Sequence, residues 1–215
     1  MAILPMMQEI ELDSYSFSKS MFAYLPTSKY LGFMSDTKEK IMDIAEELIR
    51  TKGYHAFSYK DISSPLNIRN AAIHYHFSTK ADLGAAVIER VMSRYQDRSQ
   101  AAEVLSVKEQ LQQFIDIYEE TNAHNHVCFV GALGPAYQTL PEKMQTELRK
   151  AAKQTKGRLI EILKLGLESG EFTFDEPVSE KADLIITSLL ASLILKRVSG
   201  DNIINSITKN IMASV

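Results

Sequence analysis

TKEKIMDIAEELIRTKGYHAFSYKDISSPLNIRNAAIHYHFSTKADLGAAV, residues 37–87, carries three short segments of helical apolar period and the start of a fourth. In the first, residues 37–52, Ile41, Ile44, Ala45, Leu48 and Ile49 share one face and Gly53 stops the run. Ser58 with Asp61 three residues on is the capping signature of a second helix that ends near Pro65. A third covers residues 69–76. Thr79 with Asp82 caps a longer fourth, with Leu83, Val87, Val91 and Tyr95 along one side. Two short helices joined by a tight turn are the layout of a helix-turn-helix, which sets its second helix in the DNA major groove.

In that frame, residues 68–77 (IRNAAIHYHF) form the reading helix. Ile68, Ile73 and Phe77 are spaced to face the core, and the remaining side chains are left for DNA. Arg69 suits guanine, Asn70 suits adenine, and Ala71 or Ala72 suits a thymine methyl. His74, Tyr75, His76 and Lys80 lie at the end of this helix and the start of the next, where donors meet phosphate oxygens. Ser58, Tyr59 and Lys60 are placed to hold the other strand. His74 and His76, two residues apart, diverge on a helix, so no metal site is expected there.

The composition agrees with a globular regulator and excludes other classes. The chain has 215 residues, 45% hydrophobic and 24% charged, enough for one or two small domains. The net charge of −3 is not that of a protein that coats nucleic acid. Residues 37–80 nevertheless hold seven cations against five anions, whereas residues 101–215 hold twelve against fifteen. A single cysteine, Cys128, rules out an intrachain disulfide and fits a reducing cytoplasm. The longest apolar run, residues 185–195, is about half of a membrane span. No nucleophile–base pair, phosphate loop or metal-ligand spacing is present, so neither enzymatic activity nor a cofactor is expected.

Beyond residue 87 the chain reads as all-helical: residues 107–121, an apolar Gly-containing stretch to Pro141, a long helix over 141–169, a connection GEFTFDEP, and helices over 179–198 and 201–212. The reading divides the chain into an N-terminal arm (1–36), a DNA-binding domain (37–84) and a ligand-binding and dimerisation domain (85–215). The arm shows no sustained period, and Met34 is an alternative point for translation to begin.

Several motifs together resemble the TetR family of bacterial transcriptional regulators. They are T-x-x-x-I-x-x-x-A-x-x-L from Thr37, Gly53-Tyr54, Ser58-x-x-Asp61-Ile62, and Ile73-His74-Tyr75-His76-Phe77-Ser78-x-Lys80-x-x-Leu83. A weaker likeness continues in Cys128–Leu133, Thr139–Pro141 and Gly170–Asp175. The resemblance implies a homodimer of all-α subunits on a palindromic double-stranded operator, usually a repressor, released when a small-molecule inducer enters the C-terminal domain. The family commonly has Gly-Val-Ser where this chain has Asn67-Ile68-Arg69, and an aromatic residue at His74. Asn67 is then expected to replace the missing serine as helix cap.

The last two helices show more apolar face than one small domain buries, so Ile185, Leu189, Leu193, Ile204, Ile207 and Ile211 are expected at the dimer interface. Phe114, Tyr118, Cys128, Ala132, Tyr137 and Leu163 are the candidate pocket residues, with Gly131 and Gly134 leaving room. Two other readings stand beside this one. Cys128 is a candidate electrophile or oxidant sensor, which requires an accessible thiol of lowered pKa. The departures at Asn67, Arg69 and His74 also fit a helical interaction protein that no longer binds DNA.

Overall fold

The computed structural model describes residues 27–215, with side chains from Asp36 onward. The chain divides into two units after Thr37, and the account that follows concerns residues 38–215. Nine α-helices and no strand occur among the described residues: α1 (Thr27–Lys52), α2 (Tyr59–Ser63), α3 (Asn70–His76), α4 (Lys80–Ala101), α5 (Val107–Ala123), α6 (Phe129–Leu133), α7 (Glu142–Ser169), α8 (Val178–Ser199) and α9 (Ile204–Ala213). None is long and apolar enough to cross a membrane. The first helix begins ten residues earlier than its apolar period, so the expected arm is helical from Thr27; its residues 1–26 lie outside the described residues.

Local chemistry sets the helix ends. The Ser58, Thr79 and Ser106 caps each receive a carboxylate from three residues on: Asp61, Asp82 and Glu109 accept from the cap N–H at 2.8, 3.0 and 2.9 Å. Gly53 ends α1 with φ +83° and ψ 166°, a conformation open essentially to glycine alone.

The buried side chains form two cores. One gathers Ile41, Ala45 and Ile49 of α1, Ile62 of α2, Ile73 of α3 and Leu83 and Val87 of α4 with Leu133, Met144 and Leu148. The other gathers Leu111, Phe114 and Ile115 of α5 with Leu159, Ile162 and Leu163 of α7, Ile185 and Leu189 of α8, and Ile204 and Ile211 of α9. Both α4 and α7 run through the two cores, with Tyr95 of α4 packed on the second. At the other face of α1, Glu46 is bonded by Arg50, Arg90 and Arg94. Burial alone would raise the Glu46 carboxyl, but the charges of Arg50 and Arg94 hold it below the usual range.

The dimer expectation needs correcting in its residues. Ile185, Leu189, Leu193, Ile204 and Ile211 are at most 6% exposed in the single chain, and Ile207 packs on the same core. They hold α8 and α9 onto their own subunit. An apolar helix has two apolar faces, and its outward one carries Leu184, Ala191, Ile194, Leu195 and Val198 instead.

Gly166 of α7 marks a close approach: a Cβ there would lie 1.9 Å from the Phe172 ring, itself 3% exposed. Gly166→Ala is expected to destabilise the chain by about 1–3 kcal/mol through overpacking. Urea unfolding checks this, and an unchanged midpoint would contradict the packing described.

Candidate nucleic-acid interface

The reading turn is built from three bonds and one unusual backbone angle. Ser64 N–H closes on Lys60 O at 3.0 Å, Asn67 N–H on Ser64 O and Ile68 N–H on Ser63 O, both at 3.1 Å. Asn67 takes φ +51°, the left-handed region that glycine enters freely and asparagine tolerates better than most residues. Asn67 is therefore the pivot of the turn, and the sequence expectation that it caps α3 is corrected. Arg69 occupies the cap position in extended conformation, with no side-chain cap bond.

Ile73 (0% exposed) and Phe77 (4%) fix α3 to the first core, with Ile68 half-buried beside them. That orientation leaves Arg69, Asn70, Ala71, His74 and Tyr75 fully outward, Tyr75 at 69% exposure, and Ala72 and His76 at the edge. Asn70, Ala71, His74 and Tyr75 repeat at one-turn spacing, so they line one face. The His74 ring meets Tyr59 edge-on at 4.7 Å, and its Nδ1 lies 3.4 Å from Ser78 O. His76 is pushed towards its neutral form, first by burial and then by the charge of Lys38. Lys38 was not among the sequence candidates. It is exposed and lies 5.7 Å over the Phe77 ring, adding a cation beside α3 that only the packing of α1 reveals.

Two expected phosphate ligands, Lys80 and Tyr59, are turned inward. Lys80 donates to Tyr54 O at 2.6 Å and Phe57 O at 2.5 Å, and its ammonium lies 4.0 Å over the Phe57 ring. Burial pushes its pKa down. It ties the turn before α2 to the start of α4. The Tyr59 hydroxyl is buried with no hydrogen-bond partner among the described residues, so it points away from solvent. Ser58 and Lys60 are exposed, although the Ser58 hydroxyl donates to Asp61 at 2.7 Å.

The candidate pocket residues do not converge. Ala132 and Tyr137 pack on the first core, while Phe114, Tyr118, Cys128 and Leu163 belong to the second. The Cys128 Sγ caps α6, accepting from Gly131 N–H at 3.5 Å. Burial pushes its thiol up, which works against the thiolate that a sensor needs. A cleft does open beside Phe114, between α4, α5 and α7, but none of the other five lines it.

The C-terminal helices reach the reading head through the end of α1. The Arg50 guanidinium lies 4.5 Å over the Phe129 ring and donates to Val127 O at 3.4 Å. Arg197 of α8 donates to Arg50 O at 2.7 Å, and His126 Nε2 lies 2.7 Å from Glu47.

This geometry, a short outward helix clamped after a tight turn and carried by a helical body, defines a helix-turn-helix regulator. The family description "Bacterial regulatory proteins, tetR family" matches residues 41–87. The chain is 34% identical to a TetR transcriptional regulator from Legionella pneumophila, covering 83% of this chain and 96% of that one, with a TM-score of 0.71. A TetR family transcriptional regulator from Agrobacterium tumefaciens aligns with a TM-score of 0.79 at 26% identity, over 85% and 98% of the two chains. The negative regulator IcaR of the biofilm operon icaADBC from Staphylococcus epidermidis is 33% identical over 60 residues, 28% of this chain and 32% of that protein's length. The chain belongs to the TetR family. It is a DNA-binding transcriptional regulator, not an enzyme.

Lys80→Met is expected to lower stability by about 1–3 kcal/mol, because two carbonyl oxygens lose their charged donor. A variant as stable as the parent, but with a shallower salt dependence of DNA binding, would restore Lys80 as a phosphate ligand.

Proposed function

We propose that this regulator is a homodimeric repressor that leaves a palindromic operator when a small molecule binds its helical body. The observation that carries the reading is the outward face of α3, where Arg69, Asn70, Ala71, His74 and Tyr75 stand clear of the core. Arg69 and Asn70 offer the bidentate donors and acceptors that tell guanine and adenine apart in the major groove. Ser58, Lys60, Lys38 and the edge residue His76 sit where phosphates flank that helix, and they fix register without reading sequence. Retention of this face on a buried anchor also speaks for DNA binding over a purely protein-binding role.

Dimerisation is supported by the outward stripe of α8. Leu184 is 60% exposed, Leu195 47% and Val198 80%, with Ala191 between them. The positions recur at seven-, four- and three-residue steps, the pattern of a helix that packs against another helix. A two-fold axis there would pair α8 with its copy and present two reading heads to one face of the duplex, about one helical turn apart. The repressor works in the cytoplasm, on the nucleoid. Release requires an effector that prefers a different spacing of the heads; a coupling of about 1–3 kcal/mol suffices.

Footprinting of the DNA upstream of the regulator's own gene, with excess nonspecific competitor, tests this. A protected inverted repeat is the expected result. Failure there and in selection from random duplexes would sink the reading. Asn70→Ala and Arg69→Ala should each cost about 1–3 kcal/mol at one operator position and relax its base preference. Leu195→Glu should give a monomer in sedimentation equilibrium that has lost the footprint; a dimeric Leu195→Glu would place the interface elsewhere.

A further inference from the structure

A narrow cleft, open to solvent, lies between the C-terminal part of α4, α5 and the middle of α7. Its lining mixes two chemistries: Phe114, Ile117 and Ile162 are apolar, and Tyr95, Arg98, Gln110 and Arg158 are polar. Two guanidinium groups line it and no carboxylate does.

The Arg158 side chain is only 10% exposed. It donates to Gln110 Oε1 and to Glu161 Oε2, each at 2.8 Å. A guanidinium has five N–H donors, so these two bonds leave it with donors to spare. The counter-charges lie on the solvent side: Glu161 is 60% exposed, and Glu120, which both Arg98 nitrogens hold, is 57% exposed. The Tyr95 hydroxyl is buried without a hydrogen-bond partner among the described residues. Burial pushes that phenol up, so it remains a proton donor at every physiological pH. Positive charge, an idle O–H donor and an apolar wall together describe a receptor for an anion with a hydrophobic body.

We infer that this cleft binds a small organic carboxylic acid, whose carboxylate accepts from Arg158 and from the Tyr95 hydroxyl while its body lies on Phe114 and Ile162. Naming this acid the effector rests on the ligand-released repressor reading; its binding does not. Bound acid would bridge α4 to α7, the two helices that also enter the core under the reading head.

Calorimetric titration of the full chain, without DNA, with benzoate, phenylacetate and hexanoate and with their three primary amides is the test. At least one acid should bind, with its amide at least about tenfold weaker, because the amide lacks the charge. Arg158→Gln and Tyr95→Phe should each weaken the acid about tenfold. Tyr95→Phe removes a single oxygen and decides the matter if Arg158→Gln does not fold. Equal binding of acid and amide, no acid binding at about 10 mM, or undiminished affinity in Tyr95→Phe would overturn the proposal. Adding the bound acid to the footprinted operator complex then tests the effector role: release is expected, and full occupancy with acid bound would reject that role. A chain that binds acid but has no operator would fail the repressor reading and leave the cleft assignment standing.

Discussion

Helices α4 and α7 each belong to two hydrophobic cores at once, and the rest of the molecule is arranged around that sharing. Leu83, Ala85 and Val87 at the start of α4 lie with the reading head, and Tyr95 two turns on lies with the C-terminal helices. Met144 and Leu148 of α7 face the first core, and Leu159 to Leu163 the second. The approach is close enough that a Cβ on Gly84 would lie 2.5 Å from the Met144 sulfur. Packed interiors pass displacement on because they lack the free volume to absorb it. A shift of either helix at one end is therefore felt at the other.

A second tie acts in parallel. Arg50, stacked on Phe129 and accepting Arg197 at its carbonyl, lies in the last turn of α1, the helix that packs under the reading head. These contacts are few and polar beside the apolar packing of α4 on α7. The coupling that the proposed switch would need is also small, about 1–3 kcal/mol against a total stability of roughly 5–15. On the repressor reading proposed above, an effector would not have to remake the fold; it would only have to favour one setting of these two ties.

Features governed by neighbours in sequence were legible there. The caps at Ser58 and Thr79 need only a carboxylate three residues on, and both formed with the expected partners. The core residues of α3 followed from helical spacing alone. What was hidden depended on distant groups. Lys80 looks like a free cation until the carbonyls of Tyr54 and Phe57, more than twenty residues earlier, are seen to hold it. In α8, apolar nearly all round, period cannot say which face meets its own chain, so the residues chosen for a partner turned out to be internal. The start of α1 was hidden for another reason: once a helix is nucleated, further turns add at little cost, without the apolar stripe that marks the rest. The departure from the family at Asn67 was visible, but its meaning lay in a backbone angle.

The reading helix is seven residues long, well short of the roughly 12–15 at which an isolated helix begins to hold in water. It exists because Ile73 and Phe77 are sunk in a core supplied by α1, α4 and α7. Recognition in this chain is accordingly not portable. The outward residues can be exchanged where they stand, and the scaffold will present whatever replaces them. Cut out as a peptide, or grafted onto a body that lacks those two sockets, the same seven residues would lose the shape that makes them readable to DNA.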